Sequence, residues 1–234
     1  IGFYFLIGGI TGFIFGLLLE LKRVTINLID YFKILFKVIY RNGNPIQIVN
    51  FITARCNLRC HHCFYKNTLD AKDPGEMDLS IINEYTKNFG SVLWYALGGG
   101  EPFIRSDLYK LYEKVETNCR PKVFTIPTNG WYKDKIFLST LRMLQFSKGK
   151  RPIIIQYSLD GNKEMHDQIR GKNSHQKVLE SLEMLKNLQK IYKSLHFSVI
   201  TVVTDENRDI YPQLIDDLLK FETNQININL FRYG

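Results

Sequence analysis

Hydrophobic and polar positions along this chain settle into a regular alternation after residue 45. Short, nearly continuous apolar runs rich in β-branched residues fall at residues 46–53, 91–97, 123–127, 153–159, 196–203 and 226–231, and they predict six strands. Between them apolar residues recur at helical spacing over residues 79–89, 108–117, 136–146, 176–192 and 209–221, which predicts helices. Asp78 or Ser80 is placed to cap the first of these. Apolar strands alternating with helices are the pattern of a parallel sheet covered by helices. Glycines and polar residues collect where each strand ends, the end at which parallel β/α barrels assemble their chemistry. Six units are too few for a closed eight-stranded barrel. The expected fold is therefore α/β, a partial (β/α)6 barrel open on one side.

Residues 1–19 follow a different pattern. None of them is charged, and nineteen helical residues span about 28 Å, close to the hydrocarbon thickness of a bilayer. Gly8, Gly12 and Gly16 recur every four residues, which gives one smooth helix face for close packing. A transmembrane helix is expected here, with a buried hairpin or a signal peptide as the alternatives. Glu20-Leu21-Lys22-Arg23 stands where a signal peptide would carry small residues for cleavage. Lys22, Arg23, Lys33, Lys37 and Arg41 follow soon after, so the positive-inside tendency puts the rest of the chain in the cytoplasm. Residues 24–40 have the spacing of an amphipathic helix, which either lies on the membrane surface or packs on the domain. Asn42-Gly43-Asn44-Pro45 ends it. The expected divisions are a hydrophobic anchor at 1–23, an amphipathic helix and linker at 24–44, and a core domain at 45–234. The chain starts without Met and stops just after its last strand, so it is expected to be a piece of a longer protein, truncated at the C-terminus.

Composition changes this picture little. Hydrophobic residues make up 45% of the chain, which excludes wholesale disorder. The net charge of +8 comes from 31 basic and 23 acidic residues. It suits an anionic partner or a solvated basic surface. The charges are spread along the chain, and no zinc finger, RNA-recognition signature or aromatic-interleaved basic run is present, so no specific nucleic-acid partner is expected.

The chemistry is concentrated in Cys56-Asn57-Leu58-Arg59-Cys60-His61-His62-Cys63, which holds three of the four cysteines. That number is too small for a disulfide framework, and the clustering points to metal. Thiolates suit iron–sulfur clusters and also zinc. Three ligands to a four-iron cluster leave one iron open, whereas structural zinc wants a fourth ligand, for which His61, His62 or Cys119 could be proposed. Cys119, far along the chain between Asn118 and Arg120, reads as an ordinary cysteine.

Cys-x3-Cys-x2-Cys after a first strand resembles the motif of the radical S-adenosylmethionine (radical SAM) superfamily. The resemblance runs over residues 46–231, and its nearest pattern is that of peptide maturases and molybdopterin-precursor synthases. It implies a partial radical SAM barrel in which Cys56, Cys60 and Cys63 hold a 4Fe–4S cluster. The fourth iron would chelate the amino and carboxylate groups of S-adenosylmethionine, and reduction would yield a 5′-deoxyadenosyl radical that abstracts hydrogen. Gly99-Gly100-Glu101-Pro102 resembles the motif that binds the SAM amino group. Glycines admit a close ligand and a carboxylate pairs with an ammonium, although a glycine turn with a capping Glu reads the same way. His62 stands where the family carries an aromatic residue near adenine. Thr128-Asn129-Gly130 reads as site-lining or as a turn. By the resemblance, Ser158 and Asp160 face the SAM ribose or carboxylate, Arg170 pairs with the carboxylate, and the strand holding Val202 supports adenine through its backbone. His166 reads as a polar loop residue. Asn207 matches a common loop position, and Arg232 is a candidate for a substrate anion. No side chain need act as a general base, because the cofactor carries the hard step. A peptide or protein substrate is expected, with a lipid as the alternative and a non-catalytic metal-binding nucleic-acid module as the remaining one. An electron donor such as flavodoxin or ferredoxin is the implied partner.

Overall fold

A computed structural model describes residues 45–69, 76–219 and 225–230, together with residues 32, 36 and 223. The chain divides into two compact units, Ile1–Ile46 and Gln47–Gly234. The expected membrane helix at 1–19 lies outside the described residues, as does nearly all of the amphipathic segment. Among the described residues no helix is long and apolar enough to cross a membrane.

The second unit is built on six strands, β1 (Gln47–Phe51), β2 (Trp94–Gly98), β3 (Val123–Thr128), β4 (Ile153–Ser158), β5 (Leu195–Val203) and β6 (Gln225–Leu230). Every neighbouring pair is parallel, and the order in the sheet is the order in the chain. Right-handed crossovers that always step the same way put all connecting helices on one face. The result is a curled half-barrel with β1 and β6 at its two ends, in agreement with the expected partial (β/α)6 barrel.

The covering helices are α1 (Leu79–Lys87), α2 (Leu108–Cys119), α3 (Lys133–Phe146), α4 (Lys163–Arg170), α5 (Ser174–Ile191) and α6 (Tyr211–Leu219). Their buried stripes explain their positions. Helix α2 buries Leu108, Leu111, Tyr112, Val115 and Cys119, a helical face at spacings of three and four. Against it lies Phe124 of β3, edge-on to Tyr112 at 4.8 Å and stacked with Tyr95 at 5.7 Å. The core is this layer between sheet and helices.

Helix α4 has no counterpart in the hydrophobic pattern. Its sequence, Lys-Glu-Met-His-Asp-Gln-Ile-Arg, buries His166, Ile169 and Arg170, so two of its three buried residues are polar. Asn162 starts it by accepting a hydrogen bond from Met165 N at 3.0 Å. His166 is therefore a buried helical residue and not a loop residue. The first helix begins after Asp78, whose side chain makes no capping bond.

Candidate functional site

The cysteine loop leaves the C-terminal end of β1 and is held from several sides. On one side it lies against the end of β2, where Gly100 N donates to Thr53 O at 2.7 Å and Glu101 N to Arg55 O at 2.8 Å. The glycines are there to permit this approach. A Cβ on Gly99, whose φ is +136°, would sit 2.3 Å from Thr53 O, and one on Gly100 would sit 2.3 Å from Arg55 O. On another side His61 N donates to Ile169 O of α4 at 3.0 Å. Within the loop Cys63 N donates to Cys60 O at 3.1 Å.

Two of the sulfurs meet donors from distant parts of the chain. Asn129 Nδ2, just past β3, lies 3.7 Å from Cys56 Sγ and also donates to Asn57 Oδ1 at 3.0 Å. Leu58 N points at the same sulfur from 3.4 Å. Arg170 Nη1 lies 3.8 Å from Cys60 Sγ. Burial pushes the Cys56 thiol up to about 11, and burial likewise raises Cys60 although Arg170 opposes it. Burial thus favours the thiol form in this loop, and a metal that binds there displaces protons.

Glu101 is the buried junction beneath the loop. Its carboxylate accepts from Thr128 Oγ1 at 3.0 Å, Phe103 N at 3.2 Å and Asn129 N at 2.7 Å. Burial nevertheless lifts it to about 7. Pro102 is buried and opens a short 3-10 turn, Pro102–Ile104. Thr128 and Asn129, expected only to line the site, therefore hold Glu101 in place.

Asp160, just past β4, is fully buried. It accepts from Arg170 Nε at 2.5 Å and from Val202 N at 2.8 Å. Burial works against its charge, but Arg170 and His62 beside it prevail and hold the carboxyl below its usual range. Arg170 Nη2 also lies 3.4 Å from His62 Nε2. The resemblance has Asp160 facing the SAM ribose or carboxylate and Arg170 pairing with the carboxylate. In the structure both face each other, and Arg170 reaches the cysteine loop. Ser158 stands half-buried at the end of β4, beside Ile200 in the register. Asn207 is fully buried and donates to Asp160 O at 3.0 Å and Val202 O at 2.9 Å, tying the ends of β4 and β5 together.

Two side chains at this end carried no sequence signal. Arg105, 5% exposed, donates to Ile52 O at 2.9 Å and to Met77 O at 3.2 Å while pairing with Asp107. Glu76 grips Arg55 at 2.7 Å and also binds Thr53. Neither stands in a recognisable motif, and only the folded chain brings the partners together. Arg232 lies outside the described residues.

Among the described residues no three His, Cys, Asp or Glu side chains converge on a single metal ion. Ligands to a four-iron cluster bind separate irons, so they stand wider apart than ligands of one ion. Three soft thiols on one loop, two of them met by N–H donors, suit such a cluster. Cys119 is not part of this set. It ends α2, which runs back against the strands, and its thiol donates to Thr86 O at 3.4 Å at the opposite end of the sheet.

The chain is similar to several known proteins. Mycofactocin maturase MftC of Mycolicibacterium smegmatis is 31% identical over 170 residues, covering 70% of this chain and 39% of that protein. A cysteine-type anaerobic sulfatase-maturating enzyme of Clostridium novyi is 28% identical over 195 residues, 76% of this chain and 48% of its own length. This chain thus spans about half or less of these relatives. Among solved structures, anSMEcpe with bound AdoMet superposes with a TM-score of 0.62 at 20% identity, over 80% of this chain and 52% of that one. Streptococcus suis SuiB bound to precursor peptide SuiA gives 0.59 at 19% identity, over 84% and 42%. At such identities the superpositions establish the fold. The family model for the radical SAM superfamily matches residues 50–218. That match covers well over half of the chain, which therefore belongs to the radical SAM superfamily, with a 4Fe–4S cluster and S-adenosylmethionine as the cofactors that membership implies.

Proposed function

We propose that this chain is the catalytic core of an enzyme that modifies a peptide or protein, with a 4Fe–4S cluster on Cys56, Cys60 and Cys63 and S-adenosylmethionine bound beside it. The observation that carries the reading is the convergence on one cysteine loop of Gly100 and Glu101 after β2, Asn129 after β3 and Arg170 after β4. When bound, the cluster and SAM supply one-electron cleavage of the sulfonium and hydrogen abstraction from the substrate. The chain's own residues hold and orient them. Leu58 N, Asn129 and Arg170 stabilise thiolate charge at Cys56 and Cys60. Glu101 supplies a carboxylate whose raised pKa favours a cationic neighbour, as the amino group of SAM is. Asp160, Asn207 and Val202 set the position of the β5 backbone on which the adenine would rest.

The peptide class draws support from the relatives, which include a mycofactocin maturase and a sulfatase-maturating enzyme, and from SuiB, whose structure holds a precursor peptide. An electron donor such as flavodoxin or ferredoxin belongs to the same reading. Contact with a membrane through residues 1–19 rests on their hydropathy alone, and so does a cytoplasmic placement of the core. Deleting those residues should release the protein from the membrane fraction; a full chain never found there ends that part of the proposal.

Anaerobic reconstitution tests the central claim. About four irons per chain and formation of 5′-deoxyadenosine from SAM with dithionite are expected. Stoichiometric zinc without SAM cleavage overturns it.

A further inference from the structure

The inward face of the half-barrel is not lined as a packed barrel is. Strand alternation and register sort its side chains. Ile155 and Tyr157 of β4, and Phe197 and Val199 of β5, belong to the core under the helices, so Gln156 and Ser198 face the other way. The register carries this to the edge: Gln156 stands beside Ser198, Ser198 beside Gln225, Ile200 beside Asn227 and Val202 beside Asn229. A closed β/α barrel fills this face with branched apolar side chains. Here β6 presents a row of three amides, Gln225, Asn227 and Asn229. Gln225 Nε2 donates to Asn227 Oδ1 at 2.8 Å, which aligns two of them. No Asp, Glu, Lys or Arg occupies this face in any of the six strands, and His196, two residues before Ser198, is its one titratable side chain.

Two further observations point to a ligand. Ser198 is 0% exposed, and its hydroxyl has no hydrogen-bond partner; a buried hydroxyl in that state calls for water or a polar group from outside. At the other edge of the sheet, Val49 and Phe51 face inward and are 52% and 51% exposed. Their side is fixed by Gly98, where a Cβ would come within 2.8 Å of the Phe51 ring. Phe64, immediately after Cys63, packs edge-on to Phe51 at 5.9 Å and is 76% exposed. The face therefore has an amide wall on one edge strand and an apolar wall on the other, next to the cysteine loop.

We propose that this inward face binds an uncharged, extended peptide segment. Its backbone pairs with the amides of β6, and one large apolar side chain rests on Val49, Phe51 and Phe64 beside the cysteines. The inference rests on the peptide reading above and specifies which segment is taken. An amide side chain both donates and accepts, as a peptide backbone does, so the row grips backbone without reading side chains. A charged side chain entering a face with no counter-charge loses its hydration for nothing in return. The net charge of +8 therefore plays no part in selecting this segment.

The test is a random octapeptide library displayed on phage, panned anaerobically on the reconstituted full chain with SAM present and, in parallel, on Asn227→Asp. The wild-type pool should be depleted in Asp, Glu, Lys and Arg and enriched at least tenfold in peptides with Phe, Tyr, Trp or Leu. Asn227→Asp should lose that pool and enrich peptides carrying Lys or Arg, while Phe51→Ser should lose the preference for large apolar residues. Gln156→Glu repeats the charge test on a separate strand, and unchanged iron content and thermal midpoint show that a variant is folded. A charged wild-type pool, no enrichment over background, or the same pool on Asn227→Asp and Gln156→Glu overturns the proposal. Panning reads binding alone, so a wild type that fails to cleave SAM sinks the enzymatic reading while the groove is still decided.

Discussion

Arg170 shows how one side chain can serve three partners, with Nε on Asp160, Nη1 by Cys60 Sγ and Nη2 by His62. A cation beside a thiolate ligand favours added electron density, so Arg170→Gln should make the midpoint potential of the reconstituted cluster more negative, as read by a redox titration followed by electron paramagnetic resonance. It also leaves Asp160 buried without its partner, which should destabilise the fold by about 3–5 kcal/mol. Adding Asp160→Asn should recover part of that loss, with a coupling of about 0.5–3 kcal/mol in the urea-unfolding cycle. Two other buried groups pull the pH response of the protein in opposite directions. Glu101, raised from 4.5 to about 7, keeps its proton in the folded state over a range where the unfolded chain has lost it. Its effect lowers stability as pH rises from 4.5 towards 7. His166, lowered from 6.5 to about 3 by burial and by Arg170, stays neutral where the unfolded chain is protonated. Its effect lowers stability as pH falls from 6.5 towards 3. The two slopes oppose each other between pH 4.5 and 6.5. Relative to the parent chain, the slope of the urea midpoint against pH across that window should therefore become more negative in His166→Gln and more positive in Glu101→Gln; parallel curves for both variants would refute the assignment.

At the scale of elements, α4 and the end of β2 position the cysteine loop. Asn162→Ala removes the side-chain cap of α4 and should cost about 1 kcal/mol. Because Ile169 O and Arg170 at the far end of that helix hold the loop, iron content after reconstitution should drop with it. Gly100→Ala drives a methyl into Arg55 O and should cost roughly 1–3 kcal/mol. Its effect on iron content should exceed that of Asn162→Ala, since the clash falls on the loop's own backbone. The two glycines also show where pattern reading stopped short. Their motif implied a backbone that comes close to a ligand, and the approach the structure displays is between two stretches of backbone, Thr53–Arg55 against Gly99–Glu101. The motif could be read, but its packing partner could not, because Gly100 and Thr53 lie far apart in the chain and only the pairing of β1 with β2 brings Gly100 N within 2.7 Å of Thr53 O.

At the scale of the whole unit Gln47–Gly234, sheet and helix layer share one hydrophobic core. Phe124, 1% exposed between Tyr95 and Tyr112, lies at its centre. Phe124→Ala should cost about 3–5 kcal/mol, a large share of the roughly 5–15 kcal/mol that holds a domain folded. Its urea midpoint should shift for sheet and helices together, and cluster binding should be lost with the fold.

Six strands, their alternation with helices and the three cysteines were legible in the chain because each rests on local pattern: apolar runs, helical spacing and a motif of eight residues. Helix α4 was not, since its buried face is His166, Ile169 and Arg170, and hydrophobic spacing cannot register polar residues that are buried through pairing. By itself the sequence determined the α/β half-barrel, the three-thiol loop and the family to which they belong. Tertiary structure alone decided that Asn129 and Arg170 meet the sulfurs and that Glu101 and Asp160 are buried junctions. Those outcomes depend on partners far apart in the chain, whose hydrogen bonds and burial exist only once parallel strands have brought their ends side by side.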